Sequence, residues 1–168
     1  MLTTEARRHS EVLLGVRSAA TAPRLLILVL LVVSASCVQP VGPARTFDSY
    51  KHKAKDTAET ALSSVETARL GARAAKRDDV FPSFLSVLLG EAEDEAMSAQ
   101  STFDSVQPPN KRSDRLRDRL DALLVRATDA LSQARIAARR ADLDEVARQA
   151  RPLARSSREL NRFVEAQK

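Results

Sequence analysis

The densest chemistry in this chain is a row of arginines near its end. Arg148, Arg151, Arg155, Arg158 and Arg162 recur at alternating steps of three and four, which puts them on one face of a helix. A guanidinium is a planar fork of N–H donors that matches two oxygens of a phosphate or carboxylate. Such a stripe suits an anionic lipid or a cell-wall polymer. The plainer use is a solvated face with local ion pairs, Asp144 to Arg148 and Arg155 to Glu159, and that use is the expectation.

Two further charge groups stand out. Lys51, His52, Lys53 and Lys55 form a short basic run. Close to a membrane each cation there adds about 1 kcal/mol of attraction to anionic lipid. Between Val80 and Val106 there are five acids and no Lys or Arg, whereas Asn110 to Ala141 carries nine cations and four acids. Adjacent segments of opposite charge are expected to pair with each other, fixing register. The competing use is an acidic patch for a cation or a basic partner.

Catalytic patterns are missing. His52 is the only histidine after His9, and there is no Glu-x-x-His, His-Glu-x-x-His, Gly-x-Ser-x-Gly or phosphate-cradling glycine loop. The single cysteine, Cys37, cannot make an intrachain disulfide or a Cys-built metal site. The expectation is a protein with no catalytic, cofactor or metal residues. Aromatics make up only 4% of the chain and Trp is absent, which deprives a single-stranded nucleic acid of stacking surfaces. No nucleic-acid partner is expected despite a pI near 9.9.

These groups must be positioned by helices. Gly is scarce while Ala, Leu, Arg and Glu abound, and their side chains lose little freedom in a helix. Apolar residues recur every three or four positions in four segments. The first runs Ala54, Ala58, Ala61, Val65, Ala68, Ala72, Ala75. The second runs Phe81, Leu85, Leu88, Ala92, Ala96, Ala99, Phe103, Val106. The third is Leu116, Leu120, Leu123, Ala127, Ala130, Ala134, Ala137, Ala141, and the fourth Leu143, Val146, Ala150, Leu153, Ser157, Leu160, Val164. A step of 3.5 is the seam of a helix bundle. Pro82 and Pro108-Pro109 mark breaks. Asp142 and Glu145 form a capping-box pattern, and Pro152 predicts a kink. The fold expected is all-α: an antiparallel up-down four-helix bundle over residues 46–168, with an Ala-rich seam, following a 38–45 tether and an N-terminal signal or anchor helix. Alanine buries little area, so the core is expected to be thin. Leu85, Leu88, Phe103, Leu116, Leu120, Leu123, Leu153, Leu160 and Phe163 should contribute most.

Residues 1–37 have the three parts of an export signal: a basic start, the apolar run from Leu25, and small residues around Ser34 to Ser36. Leu25 to Val38 is roughly 21 Å as a helix, shorter than a hydrocarbon core of roughly 30 Å. Cys37 sits where a diacylglycerol-bearing cysteine would sit, and Ser34 and Ser36 also fit ordinary signal cleavage. A lipid anchor on Cys37, an uncleaved anchor helix and free secretion are the three outcomes, the first preferred. The whole chain resembles the small exported lipoproteins of actinobacteria, through Cys37, the Pro/Gly tether and the Ala/Arg-rich helical part. That resemblance implies attachment to the outer face of the cell membrane and a helical fold, and carries no functional residues. Taken together, the residues predict a non-catalytic, membrane-anchored protein-interaction or scaffold module of the cell envelope. The alternative is a peripheral binder of anionic lipid or cell-wall polymer through Lys51, Lys53, Lys55 and the arginine stripe.

Overall fold

The computed structural model describes residues 43–77 and 79–168. The expected signal, Cys37 and most of the tether lie outside the described residues. Among those residues there is no strand, and the chain forms four packed helical segments, the last broken in two. These are α1 (Phe47–Lys76), α2 (Pro82–Asp104), α3 (Lys111–Arg139), and the pair α4 (Leu143–Arg148) and α5 (Ala150–Glu165).

Each start has a local cause. Ser49 N–H donates to the Thr46 hydroxyl oxygen at 3.1 Å, capping α1. The Arg112 and Ser113 amides both donate to the Asn110 side chain at 3.1 Å, capping α3. Pro82 opens α2, where its missing N–H costs nothing. Asp142 caps α4 by accepting from Glu145 N–H at 2.9 Å. The reciprocal half of the expected capping box is absent, because the Glu145 carboxylate instead accepts from Arg148 and Gln149.

Two junctions differ from expectation. The heptad placed Ala141 in the third seam, but α3 ends at Arg139 and Ala141 is exposed with φ at 55°. Asp142 N–H donates to the Ala137 carbonyl at 3.1 Å and Ala141 N–H to the Ala138 carbonyl at 2.9 Å. This is the Schellman closure that usually recruits Gly. Pro152 does more than kink the fourth segment. It has no N–H for the Arg148 carbonyl and its ring crowds that carbonyl, so α4 stops at Arg148 and Pro152 sits in the first turn of α5.

The first seam is buried throughout, from Ala54 to Ala75, and is joined by Tyr50, Ser64 and Gly71. α1 and α3 each pack against every other segment, whereas α2 packs against α1 and α3. The two alanine-rich helices therefore take the central positions, where small side chains permit close approach. Gly71 marks one such approach: a Cβ there would lie 2.9 Å from a Leu85 methyl and 3.3 Å from a Leu88 methyl.

The other seams are wider than a heptad. Leu89 and Glu93 are buried on α2, while Leu88 and Ala99 are only half-buried and Phe81 is exposed. On α3, Leu124, Leu131 and Ala138 join the buried set and Leu123 is half-buried. A helix touching several partners needs a broader apolar stripe than a two-stranded seam. The largest fully buried side chains include Tyr50, Leu89, Leu124 and Leu131 beside the expected Leu85, Phe103, Leu116, Leu120, Leu153 and Leu160. Tyr50 stacks obliquely on Phe103 with ring centroids 5.2 Å apart. About half of the buried apolar positions are alanine, so little area is buried per residue.

Candidate binding clefts

Charges divide into those used within the fold and those left facing solvent. The buried carboxylate of Glu93 on α2 accepts from the Arg135 guanidinium on α3 through Nε, and from Nη2 at 3.4 Å. Arg117 on α3 lies 3.5 Å from Asp104 on α2 and donates to its carbonyl at 2.8 Å. The acidic and basic segments thus pair at Glu93 and Asp104, as their charges predict. Glu95 instead accepts from the Ser64 hydroxyl of α1 at 3.1 Å. Among the described residues no three His, Cys, Asp or Glu side chains gather as a metal ligand set would.

A second link ties α1 to α5. Glu66 accepts from the Ser157 hydroxyl and from Arg69, and Arg69 also donates to the Ser157 oxygen at 3.1 Å. Burial pushes the Glu66 carboxyl up, but the donors from Ser157 and Arg69 outweigh it and hold the group below the usual carboxylate range. Asp121 behaves oppositely. Burial raises it, the neighbouring Asp104 charge adds to this, and Arg117 only partly compensates.

The arginine stripe is split by the break before Pro152. Arg148 on α4 is bound to Glu145 at 2.7 Å and not to Asp144. Glu159, the expected partner of Arg155, is taken by Arg126 of α3 at 3.1 Å. Arg151, Arg155, Arg158 and Arg162 are exposed, and among the described residues none has a carboxylate oxygen within 4.0 Å. The two expected local pairs are replaced, Arg155 losing Glu159 to Arg126 across to α3 and Arg148 pairing with Glu145 in place of Asp144.

Three of these arginines line a cleft. Between α3 and α5 lies an open groove of about 700 Å³. Arg151, Arg155 and Arg158 come to it from α5, and Arg126, Asp129 and Gln133 from α3. Ala130, Pro152 and Ala154 contribute to a lining that is mainly apolar. The Arg126–Glu159 pair and the Ser156 hydroxyl, which donates to the Arg126 carbonyl at 3.4 Å, fasten the two walls together. Arg148 and Arg162 are outside this lining. The arrangement can hold an apolar surface that carries carboxylates or phosphates.

A second cleft lies where the described chain enters the helices. Phe47 and Lys51 of α1, Arg112, Arg115, Asp118 and Arg119 of α3, and Ala166 with Gln167 enclose about 680 Å³ with a mainly polar lining. The Arg112 guanidinium lies over the Phe47 ring, 3.8 Å from its centroid, a favourable cation–π position. Of the basic run, Lys51 alone reaches this cleft. Lys55 is bound to Glu59 at 2.9 Å, Lys53 is half-buried and His52 is exposed. The sequence reading did not single out Arg112, Arg115 or Arg119. Their i, i+3, i+7 spacing was visible, but the convergence with Phe47 and Lys51 was not.

Comparison with known protein families, with curated proteins and with solved structures finds no significant match to this chain. No described helix is long and apolar enough to cross a membrane.

Proposed function

We propose that this chain is a non-catalytic, membrane-anchored protein of the cell envelope. Its helices form an antiparallel up-down bundle that presents the cleft between α3 and α5 to an acidic segment of another envelope protein. The topology is supported by the contacts. Ser64 meets Glu95 and Gly71 meets Leu88, Glu93 meets Arg135 and Asp104 meets Arg117, so early positions on one helix meet late positions on the next. The connections are short as well. The anchor rests on the apolar run from Leu25 and on Cys37.

One observation carries the binding reading: Arg151, Arg155 and Arg158 flank a mainly apolar groove, and although Asp129 also lines it, none of the three has a carboxylate oxygen within 4.0 Å among the described residues. Arginine beside apolar surface is typical of the residues that dominate protein interfaces. A bare phosphate surface would leave the apolar lining uncovered, whereas an amphipathic acidic helix covers both parts.

The test is photo-crosslinking in intact cells from position 154, on the cleft lining. A discrete protein adduct is expected, and it should vanish when Arg151, Arg155 and Arg158 are all changed to Gln. An adduct that persists in that triple variant, or no protein adduct at all, sinks the reading.

A further inference from the structure

The second cleft does not belong to the interaction site. It is built by three parts of the chain far apart in sequence: the first two turns of α1, the first three turns of α3, and the residues that close α5. Four cations, Lys51, Arg112, Arg115 and Arg119, face one acid, Asp118. Among the described residues none of the four has a carboxylate oxygen within 4.0 Å, the regional carboxylates Asp104 and Asp121 being engaged by Arg117 instead. Arg112 is held over Phe47 and Arg119 Nε donates to the Arg115 carbonyl at 3.3 Å, which orients both guanidinium groups without neutralising them. Oriented, unneutralised guanidinium forks match the oxygens of a phosphate group.

The location says which phosphate. Phe47 lines the cleft and opens the first described helix. Residues 38–46 connect it to the apolar run that ends at Val38. Fully extended, that connection reaches about 30 Å, and less with Pro40 and Pro43 in it. If the apolar run or a lipidated Cys37 lies in a bilayer, this end of the helices is confined to the headgroup region and its immediate surroundings.

We infer that the cleft formed by Lys51, Arg112, Arg115 and Arg119 beside Phe47 is a phosphate site for the headgroup of an anionic phospholipid, and that it seats the helical part end-on against the membrane. The inference rests on the membrane attachment proposed above. It adds a headgroup contact distinct from the α3/α5 cleft, so the membrane and the protein partner occupy different faces.

The test uses the full chain in nanodiscs of phosphatidylcholine, alone or doped with phosphatidylglycerol. NMR follows the side-chain Nε–H signals of Arg112, Arg115, Arg119 and Arg158. On anionic discs the first three should shift and Arg158 should not. Arg112→Gln should reduce the Arg115 and Arg119 shifts severalfold, with helix content unchanged. Adding inorganic phosphate to phosphatidylcholine discs separates the two sources. If it reproduces the shifts in full, the site is for free phosphate and the headgroup assignment is overturned. No shift under either condition, or Arg158 moving as much as Arg112, overturns the site itself. A chain that does not join the discs refutes the attachment instead, and inorganic phosphate then still decides whether the cleft binds the group.

Discussion

The two sides of α3 carry the same kind of charge and use it differently. Toward α2, Arg135 and Arg117 are spent on Glu93 and Asp104. Toward α5, Arg126 takes Glu159, and Arg151, Arg155 and Arg158 are left facing a groove. The difference lies in what the neighbour offers. α2 has acids and no cations, and both Arg135 and Arg117 find a partner on it. α5 has two acids, Glu159 and Glu165, and each is already engaged, by Arg126 and Lys168 respectively. The α5 arginines are left available because the acids of their own helix are taken and Asp129 of α3, though it lines the groove, forms no ion pair with them within 4.0 Å among the described residues.

The sharpest way to break this contrast is at Glu93, which is 7% exposed. Glu93→Ala removes the buried acceptor of Arg135, whose guanidinium is itself still partly exposed, and should cost about 1–2 kcal/mol. Arg155→Ala on the other side should cost no more than about 0.5 kcal/mol. Denaturant titration of both variants measures the gap, and equal losses would erase the distinction between the two sides.

A smaller effect is expected at the junction that delivers α4 and α5 to α3. Ala141 occupies the left-handed region that disfavours a Cβ by roughly 1–2 kcal/mol. Part of that is offset by the greater freedom of unfolded Gly. Ala141→Gly should therefore raise stability by about 0.5–1 kcal/mol, read as a higher denaturant midpoint with an unchanged slope.

Smaller again are the proton-linked terms. Glu66 titrates lower when folded than its ordinary 4.5. Its link between α1 and α5 thus contributes fully above that value and is lost as pH falls through the folded pKa. Asp121 titrates higher when folded than 3.8, so the folded state holds its proton more tightly and stability falls as pH rises through that interval. Glu66→Gln should flatten the acid side of a stability–pH curve, and Asp121→Asn should raise stability near neutral pH. The opposite signs would show that the two environments are misassigned.

How much of this was legible varied from helix to helix: α1 meets every other segment, yet the buried positions it adds to its heptad are few, Tyr50, Ser64 and Gly71. The α1 seam could be read residue by residue because Ala54 to Ala75 form one unbroken 3.5-residue pattern. Leu89, Leu124 and Leu131 were missed because a heptad selects one stripe, whereas α2 and α3 each meet more than one neighbour. Asp142 was readable as a cap from its spacing to Glu145, but Ala141 was not readable as a left-handed terminus, since nothing about alanine announces positive φ. Pro152 was rightly seen as disruptive, and its consequence, a break that splits the stripe, depends on the backbone before it. The arginine stripe itself was legible. Its availability was not, because Glu159 looked like a local partner and turned out to serve Arg126. The cleft at Phe47 was invisible, since it is assembled from residues about 60 to 120 positions apart.

The smallest expected change in stability belongs to the variant with the largest expected change in binding. Changing Arg151, Arg155 and Arg158 together to Gln removes no ion pair of the described fold, and the denaturant midpoint should move by no more than about 0.5 kcal/mol equivalent. The most direct test of the proposed function pairs that variant with the photo-crosslinker at position 154 in living cells. A discrete protein adduct from the unmodified cleft that disappears in the triple variant, with stability unchanged, is the predicted result. An adduct of equal yield in both, or none in either, would contradict the assignment of the α3/α5 cleft as the place where this protein meets its partner.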